Sequence, residues 1–215
     1  MAILSTSQSS NIEKGRKPLI PLPEIKLDQD QLLPRILQRR RSVRYFHKSP
    51  LPLETLSSLL WAAQGISSPN GYRTAPSAGA LYPIILYSVV ESVDSLDPGI
   101  YRYHPEGHLL ERIRKGNFIS SICRIALGQW WMEDCSFLLV IGADYEKTTW
   151  KYGERGIRYV HMEVGHVAQN VHLLATELEL GTVVVGAFDD EKLHNLLVMN
   201  PGENPLCLMP VGIPG

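Results

Sequence analysis

The 215-residue sequence lacks the features that mark several large classes of protein. It has three cysteines and no C-x-x-C pair, which argues against a disulfide framework and for a reducing compartment. Its 21 basic and 22 acidic side chains leave a formal charge of -1, so no overall positive field would hold it to nucleic acid or anionic lipid. No segment approaches the roughly 20 apolar residues that span a bilayer. The sequence predicts a soluble, cytoplasmic protein without nucleic-acid or membrane partners.

Familiar catalytic and nucleotide-binding motifs are also missing. The sequence contains no G-x-G-x-x-G, Walker A, G-x-S-x-G or H-E-x-x-H motif. His161 and His166 lie on a predicted helix, but about 140° apart around its axis, so they would be poor joint ligands for a metal ion. We therefore expect no metal site, and the chemistry has to come from other residues.

The chain divides into two regions by composition. Residues 1–27 are rich in Ser, Pro and Lys without an apolar period, and we interpret them as an N-terminal extension. Residues 28–215 are predicted to form one domain, in which helical and strand-like segments follow one another irregularly and a hairpin interrupts them. This order favours an α+β or mixed α/β fold over a regular doubly wound sheet.

The clearest predicted element is a long helix that starts near Ile157. Apolar residues recur at a 3.6-residue period as far as Leu178, and Gly181 ends the pattern. Gly165 and Ala168 lie on or beside the apolar stripe and would let another helix approach closely. That arrangement suits either a subunit interface or a central core helix.

Shorter elements are predicted on both sides of the long helix. Helices are expected from Asp28 to the arginine run, from Pro52 to Gly65, and in FISSICRIAL. Strands are expected in PIILYSVV, CSFLLVIGA and TVVVG, and a hairpin in GIYRYHP and HLLERI.

A basic run, RRRSVR at residues 39–44, follows the first predicted helix. Guanidinium groups match phosphate oxygens with two parallel hydrogen bonds, and the serine hydroxyl could add another, so the run suits a phosphomonoester. A solvated basic helix end that favours the helix dipole is the alternative. A nucleic-acid patch has weaker support, because no aromatic residues are interleaved with the arginines.

Residues 66–80 are dense in Gly, Pro, Ser and Asn and are predicted to form a long loop that feeds a buried strand, a favoured place for function. At its end, APSAGA offers small residues that would let the backbone approach a flat ligand closely. The same residues would equally make a plain tight loop.

Six blocks of sequence follow one another over residues 28–213. They are RRSVRYF, APSAGALYPIILY, GIYRYHPEGHLL, KYGERGIRYVHMEVGHVAQNVHLLATELELG, VVVGAFDD and LMPVG. In this order they resemble the nitroreductase family of flavoproteins, and more narrowly its SagB-type dehydrogenase branch, which includes the azoline oxidases of thiazole and oxazole peptide maturation. The resemblance implies an α+β, nitroreductase-like fold with a central mixed or antiparallel sheet flanked by helices. It also implies a segment-exchanged homodimer that binds FMN at two interfacial sites.

The resemblance further implies which residues bind FMN. The phosphate and ribityl chain would be held by Arg40, Arg41, Ser42 and Arg44. The isoalloxazine ring would lie near a loop of the other subunit, which comprises Pro76, Ser77, Ala78, Gly79 and Ala80. Backbone amides around Gly186 and Ala187 would approach N5 and O4 of the flavin, where a donor helps to orient the ring.

Lys151 and Tyr152 match a lysine and tyrosine pair that the azoline oxidases are thought to use as base and proton relay. A lysine acts as a base only where burial or a neighbouring cation lowers its pKa, and Arg155 and Arg158 are near enough in sequence to do so. Lys151 could equally be an exposed residue ahead of the long helix.

Three functions therefore stand as hypotheses. The first is an FMN-dependent oxidoreductase that takes a hydride from NADH or NADPH and reduces a nitroaromatic, a quinone or a similar small acceptor. The second is a SagB-type dehydrogenase that oxidises a substrate such as a peptide azoline. The third is a flavin-binding or interaction protein without turnover.

Overall fold

The structure, a computed structural model, describes residues 31–215. The predicted N-terminal extension and the first residues of the predicted helix at Asp28 lie outside this range. The helices in it are α1 (Leu32–Arg39), α2 (Leu53–Gln64), α3 (Ile119–Ile125), α4 (Glu146–Tyr152), α5 (Arg155–Glu177) and α6 (Asp190–Leu197). The strands are β1 (Phe46–His47), β2 (Ile84–Val90), β3 (Gly99–His104), β4 (Leu109–Lys115), β5 (Phe137–Asp144), β6 (Gly181–Thr182) and β7 (Glu203–Pro214).

The described strands form one sheet in the order β1-β7-β5-β2-β3-β4, with β6 paired to β7. Every neighbouring pair in it is antiparallel. The central strand β5 pairs with β2 along its length, from Ala143 opposite Ile84 to Phe137 opposite Val90. The predicted α+β fold with a sheet flanked by helices is confirmed, and the sheet is antiparallel rather than mixed.

Helices cover both faces of the sheet. Residues of α2 and α5 form a core with one face, and residues of α3 and α6 form a second core with the other. Because both faces are covered, all seven residues of β2 are buried, and its sequence is a continuous apolar run except for Ser88.

The long helix α5 confirms the strongest sequence prediction. It runs from Arg155 to Glu177, and Val160, Val167 and Val171 are buried in the core. Gly165 lies away from that core: a Cβ there would meet no atom within 4 Å. No helix among residues 31–215, this one included, has the length and hydropathy to cross a membrane.

One predicted strand is shorter than expected, and several elements were not predicted. The strand predicted in TVVVG is paired only at Gly181–Thr182, and beyond it Val185 makes an isolated bridge to Leu208. Four elements were missed, namely α4, α6, β1 and β7. Within β7, Pro205 and Pro210 interrupt the pattern that identifies a strand from sequence.

Candidate functional site

An open cleft with a volume of about 520 Å³ lies between the basic run and one side of α5. The basic run lines it with Arg40, Ser42 and Arg44, and the segment after β6 lines it with Val183 and Val184. The residues that α5 contributes are His161, Val164, Gly165, Ala168, Gln169 and His172. The cleft therefore has a cationic end and an apolar wall.

Backbone contacts hold the basic run beside the cleft. The N–H of Arg40 closes α1 by donating to the carbonyl of Ile36, and the N–H of Val43 donates to the carbonyl of Thr182 at 3.0 Å. The side chain of Val43 packs so closely on Gly181 that a Cβ there would lie 2.7 Å from Val43 Cγ1. The run is thus fixed to β6 rather than free in solvent.

The cationic end of the cleft has no acidic partner in the part of the chain that the structure describes. No carboxylate of residues 31–215 lies within ion-pair distance of Arg40 or Arg44. His172 also lines this cleft; it is buried, and its Nδ1 has no hydrogen-bond partner among the described residues. Burial and the nearby Arg40 lower the pKa of His172, so its ring is neutral at physiological pH. Two guanidinium groups and a hydroxyl in an open cleft suit an anionic ligand.

Arg41, the remaining predicted phosphate ligand, lies off the cleft. Its Nη1 donates to the carbonyls of Gln38 and Arg40, at 2.8 and 2.7 Å. The guanidinium therefore satisfies carbonyl groups at the C-terminus of α1, as the helix-end interpretation of the run describes.

The small-residue loop has a strained backbone. A 3₁₀ turn spans Ala78–Ala80, and φ is positive at Gly79 (65°), Ala80 (53°) and Tyr82 (48°). Positive φ at residues with a side chain is uncommon and costs about 1 kcal/mol each. Ser77 supports the turn, because its Oγ accepts a hydrogen bond from the N–H of Tyr82 at 2.9 Å.

The loop lies against the predicted catalytic pair. A Cβ on Gly79 would lie 2.8 Å from Tyr152 Oη and 3.0 Å from Lys151 Nζ. Lys151 Nζ is 5.4 Å from the centroid of the Tyr152 ring. The rings of Tyr152 and Tyr159 are nearly perpendicular, with their centroids 5.1 Å apart. The helix α4, which sequence reasoning missed, carries both residues in its last turn. A Cβ at Gly79 would therefore displace the ends of the Tyr152 and Lys151 side chains.

Most of the predicted site residues therefore fall into two groups within one chain, and Arg41, Gly186 and Ala187 belong to neither. Neither Pro76–Ala80 nor the Lys151 and Tyr152 pair lines the arginine cleft. Gly186 and Ala187 are exposed, and the carbonyl of Ala187 accepts a hydrogen bond from Gln129 Nε2 at 3.0 Å. Among residues 31–215, no three His, Cys, Asp or Glu side chains are grouped so as to hold a metal ion.

Sequence reasoning missed a buried acidic group behind the loop. Glu163 on α5 is 2% exposed, and its carboxyl faces Ser77 and Gln64. Burial raises its pKa to about 7, and the two polar side chains only partly oppose this. A signal was present, because Glu163 falls between Val160 and Val167 on the apolar stripe of the helix.

Fold and cleft together define an α+β protein with a cleft, cationic at one end, beside an antiparallel sheet. The model of the nitroreductase family matches residues 37–213. The chain belongs to the nitroreductase family, which is a family of oxidoreductases, and the family recognised from the sequence is confirmed.

Sequence similarity to three other proteins supports the assignment to this family. The chain is 47% identical over 193 residues to a Methanocaldococcus jannaschii protein assigned to the nitroreductases, MJ1384, covering 90% of this chain and 95% of that one. It is 30% identical to the trifolitoxin operon protein TfxC of Rhizobium leguminosarum bv. trifolii and to the microcin B17-processing protein McbC of Escherichia coli, covering 82% and 69% of this chain. It spans only 54% and 57% of those two proteins.

The fold has a counterpart among solved structures. The crystal structure of a Ralstonia eutropha JMP134 protein assigned to the nitroreductases superposes with a TM-score of 0.76 at 30% identity, covering 90% of this chain and 88% of that one. The predicted nitroreductase-like fold is confirmed by this match.

Proposed function

We propose that the protein is an FMN-dependent oxidoreductase that takes a hydride from NADH or NADPH and reduces a nitroaromatic, a quinone or a similar small acceptor. The observation that carries the proposal is the cleft, in which Arg40 and Arg44 lack an acidic partner among the described residues. Within a fold of this family, an unpaired cationic end next to an apolar wall suits a cofactor that carries both a phosphate and a flat ring.

The residues of the cleft fit such a cofactor. Arg40, Ser42 and Arg44 would hold the phosphate, and the buried Nδ1 of His172 offers a further polar contact. The open space over Gly165 leaves room beside α5 for the rest of the molecule. Bound FMN would supply hydride transfer at N5, and the chain would supply binding, orientation and electrostatics.

Two copies of the chain would complete each site. The arginine cleft of one copy would face the loop of Pro76–Ala80 in the other, together with the Lys151 and Tyr152 that pack on it. This homodimer accounts for the separation of the predicted site residues into two groups within one chain. Gly186 and Ala187 would then contribute backbone amides near the ring.

The visible absorption spectrum of the purified protein tests this proposal. We expect flavin bands, after added FMN if needed, that bleach under anaerobic conditions with NADH or NADPH. The donor that reacts faster would identify the nicotinamide partner. A colourless protein that does not take up FMN would favour the non-catalytic alternative, and bands that persist with both donors would contradict the reductase.

A second candidate is a SagB-type dehydrogenase that oxidises a substrate such as a peptide azoline. Its support is the contact of Gly79 with Lys151 and Tyr152, and the similarity to McbC and TfxC. Lys151 or Tyr152 would accept the proton that leaves the substrate, FMN would accept the hydride, and oxygen or another acceptor would take the electrons.

Replacing Lys151 by alanine tests whether this lysine is the base of the second candidate. If Lys151 is the base, Lys151→Ala should lower azoline oxidation by about 10²-fold or more while flavin stays bound. Lys147→Ala, one turn earlier on α4 and also exposed, is the matched control. Unchanged oxidation in Lys151→Ala would remove this lysine from the mechanism.

A further inference from the structure

Two buried side chains behind the small-residue loop each have one polar atom without a hydrogen-bond partner among the described residues. Glu163 is 2% exposed and Gln64 is 1% exposed. Neither Oε1 of Glu163 nor Nε2 of Gln64 has a partner among the described residues. One of these atoms is an acceptor and the other a donor, and the Gln64 amide faces the Glu163 carboxyl.

A hydrogen bond from Arg73 fixes the orientation of the Gln64 amide. Its Oε1 accepts a hydrogen bond from Arg73 Nη1 at 2.9 Å, and Arg73 Nη2 pairs with the exposed Glu106 at 3.0 Å. With its carbonyl taken, Gln64 can offer only its N–H groups to Glu163. Arg73 is the charged residue that acts on Glu163 from the neighbouring loop.

Ser77 connects this buried group to the strained loop. Its Oγ already accepts a hydrogen bond from the N–H of Tyr82, so its own proton remains free for the carboxyl of Glu163. Ser77 also immediately precedes the 3₁₀ turn whose Gly79 packs on Lys151 and Tyr152. Positive φ at Ala80 and Tyr82 means that the loop needs such contacts to keep its shape.

We propose that Glu163 is a positioning residue for the reactive pair. As a carboxylate it accepts hydrogen bonds from Ser77 and Gln64 and holds the loop so that Gly79 lies against Lys151 and Tyr152. As a carboxylic acid it loses acceptor capacity, and the hold on Ser77 weakens. The inference rests on the proposed function only in taking Lys151 and Tyr152 as reactive residues.

Three kinds of group surround the carboxyl. Helix α2 contributes the neutral Gln64, and the loop contributes the neutral Ser77 and the cation Arg73. Because burial raises the pKa of Glu163 to about 7, its protonation changes in the physiological range. The hydrogen bond from Ser77 lowers this pKa, so releasing the loop while Glu163 stays buried would raise it. By linkage, the loop would be held more firmly above neutral pH than below it.

Amide hydrogen exchange at Tyr82 in the ligand-free protein tests the proposal. Corrected for the intrinsic pH dependence of exchange, protection of this N–H should rise about tenfold as the pH increases through about 7. Glu163→Gln should remove the rise, and Glu163→Asp should restore one. Glu177→Gln, an exposed position on the same helix, is the matched control and should behave as the wild type.

The result that would overturn the proposal is protection independent of pH in the wild type, or a rise that persists in Glu163→Gln. The wild-type measurement needs no substitution, so a variant that folds poorly does not spoil the test. Because the protein carries no flavin in this experiment, the result is independent of whether the proposed oxidoreductase activity is correct. In the loaded enzyme, the pH profile of kcat should lose its step near neutrality in Glu163→Gln.

Discussion

Glu203 and Glu163 are both buried, but their surroundings shift the pKa of the carboxyl group in opposite directions. Glu203, at the start of β7, is 7% exposed, and both of its carboxylate oxygens accept from Arg102, at 2.7 and 3.1 Å. Asn200 donates to it from both its backbone and its side chain, and Tyr87 donates at 3.1 Å. Burial alone would raise the pKa of Glu203, but hydrogen bonds from Arg102 and Asn200 outweigh it and lower the pKa.

Glu163 is more deeply buried, and its Oε1 has no hydrogen-bond partner among the described residues. The effect of burial on Glu163 outweighs that of its polar neighbours, and the pKa of Glu163 rises to about 7. The difference teaches that burial does not by itself decide the state of an acidic group; the completeness of its hydrogen bonds does. The satisfied group joins strands of the sheet, whereas the unsatisfied one lies behind the loop of the candidate site.

The largest effect on stability is expected from breaking the satisfied pair. Glu203→Gln would leave Arg102, which is 20% exposed, without its counter-charge, and should lower the free energy of unfolding by about 3 kcal/mol. Urea unfolding at neutral pH measures this. Because the pKa of Glu203 is lowered, its stabilisation is present above the unfolded pKa and is lost as the pH falls through the folded pKa.

Glu111→Gln, which removes the exposed pair with His104, is the control and should cost about 1 kcal/mol or less. Equal losses in the Glu203 and Glu111 variants would contradict the structural role assigned to Glu203.

The contribution of Glu163 to the free energy of unfolding should show the opposite dependence on pH. The pKa of Glu163 is raised, so the folded state binds a proton that the unfolded state releases, and stability falls as the pH rises from about 4.5 through about 7. Glu163→Gln stays neutral at every pH. Its free energy of unfolding relative to the wild type should therefore improve by about 2 kcal/mol between pH 5 and pH 8, as urea titrations can measure.

A difference between Glu163→Gln and the wild type that did not change with pH would show that Glu163 does not titrate in this range. Such a result would remove the contrast between the two glutamates.

A smaller effect is expected in the loop itself. Gly79→Ala introduces a Cβ that meets Tyr152 and Lys151, at a residue with φ of 65°. We expect a loss of about 1 kcal/mol in stability and at least a tenfold loss of turnover, because the reactive pair must move. Gly71→Ala is the matched control: φ is 78° there, but a Cβ would meet nothing within 4 Å.

Both glycine variants should lose similar stability, measured by thermal unfolding, and only Gly79→Ala should lose turnover. Equal turnover in the two variants would show that the close approach at Gly79 has no role in the reaction.

Much of the fold followed from local pattern. The 3.6-residue period predicted α5, and Pro52 and Gly65 marked the two ends of α2. The missed helix α4 has the sequence EKTTWKY, which is mostly polar and has no apolar period. The prolines of β7 concealed a strand that pairing with β5 stabilises over most of its length.

The site was predictable only in part. The chemistry of arginine pointed to an anion at the basic run, but the turning of Arg41 onto the end of α1 depends on backbone carbonyls that no side-chain pattern reveals. The contact of Gly79 with Lys151 and Tyr152 joins residues about 70 positions apart in the sequence, and Gln64 and Glu163 are still further apart. Such contacts come from tertiary packing.

The most direct test of the central claim is the affinity for FMN of the wild type and of a variant with both Arg40→Ala and Arg44→Ala. Titration of visible absorbance or flavin fluorescence should show wild-type binding and a loss of about 100-fold or more in the double variant. Arg39→Ala, whose side chain pairs with Glu179 on the surface, should bind as the wild type does. Equal affinity in the wild type and the double variant, or no binding by the wild type, would contradict the account.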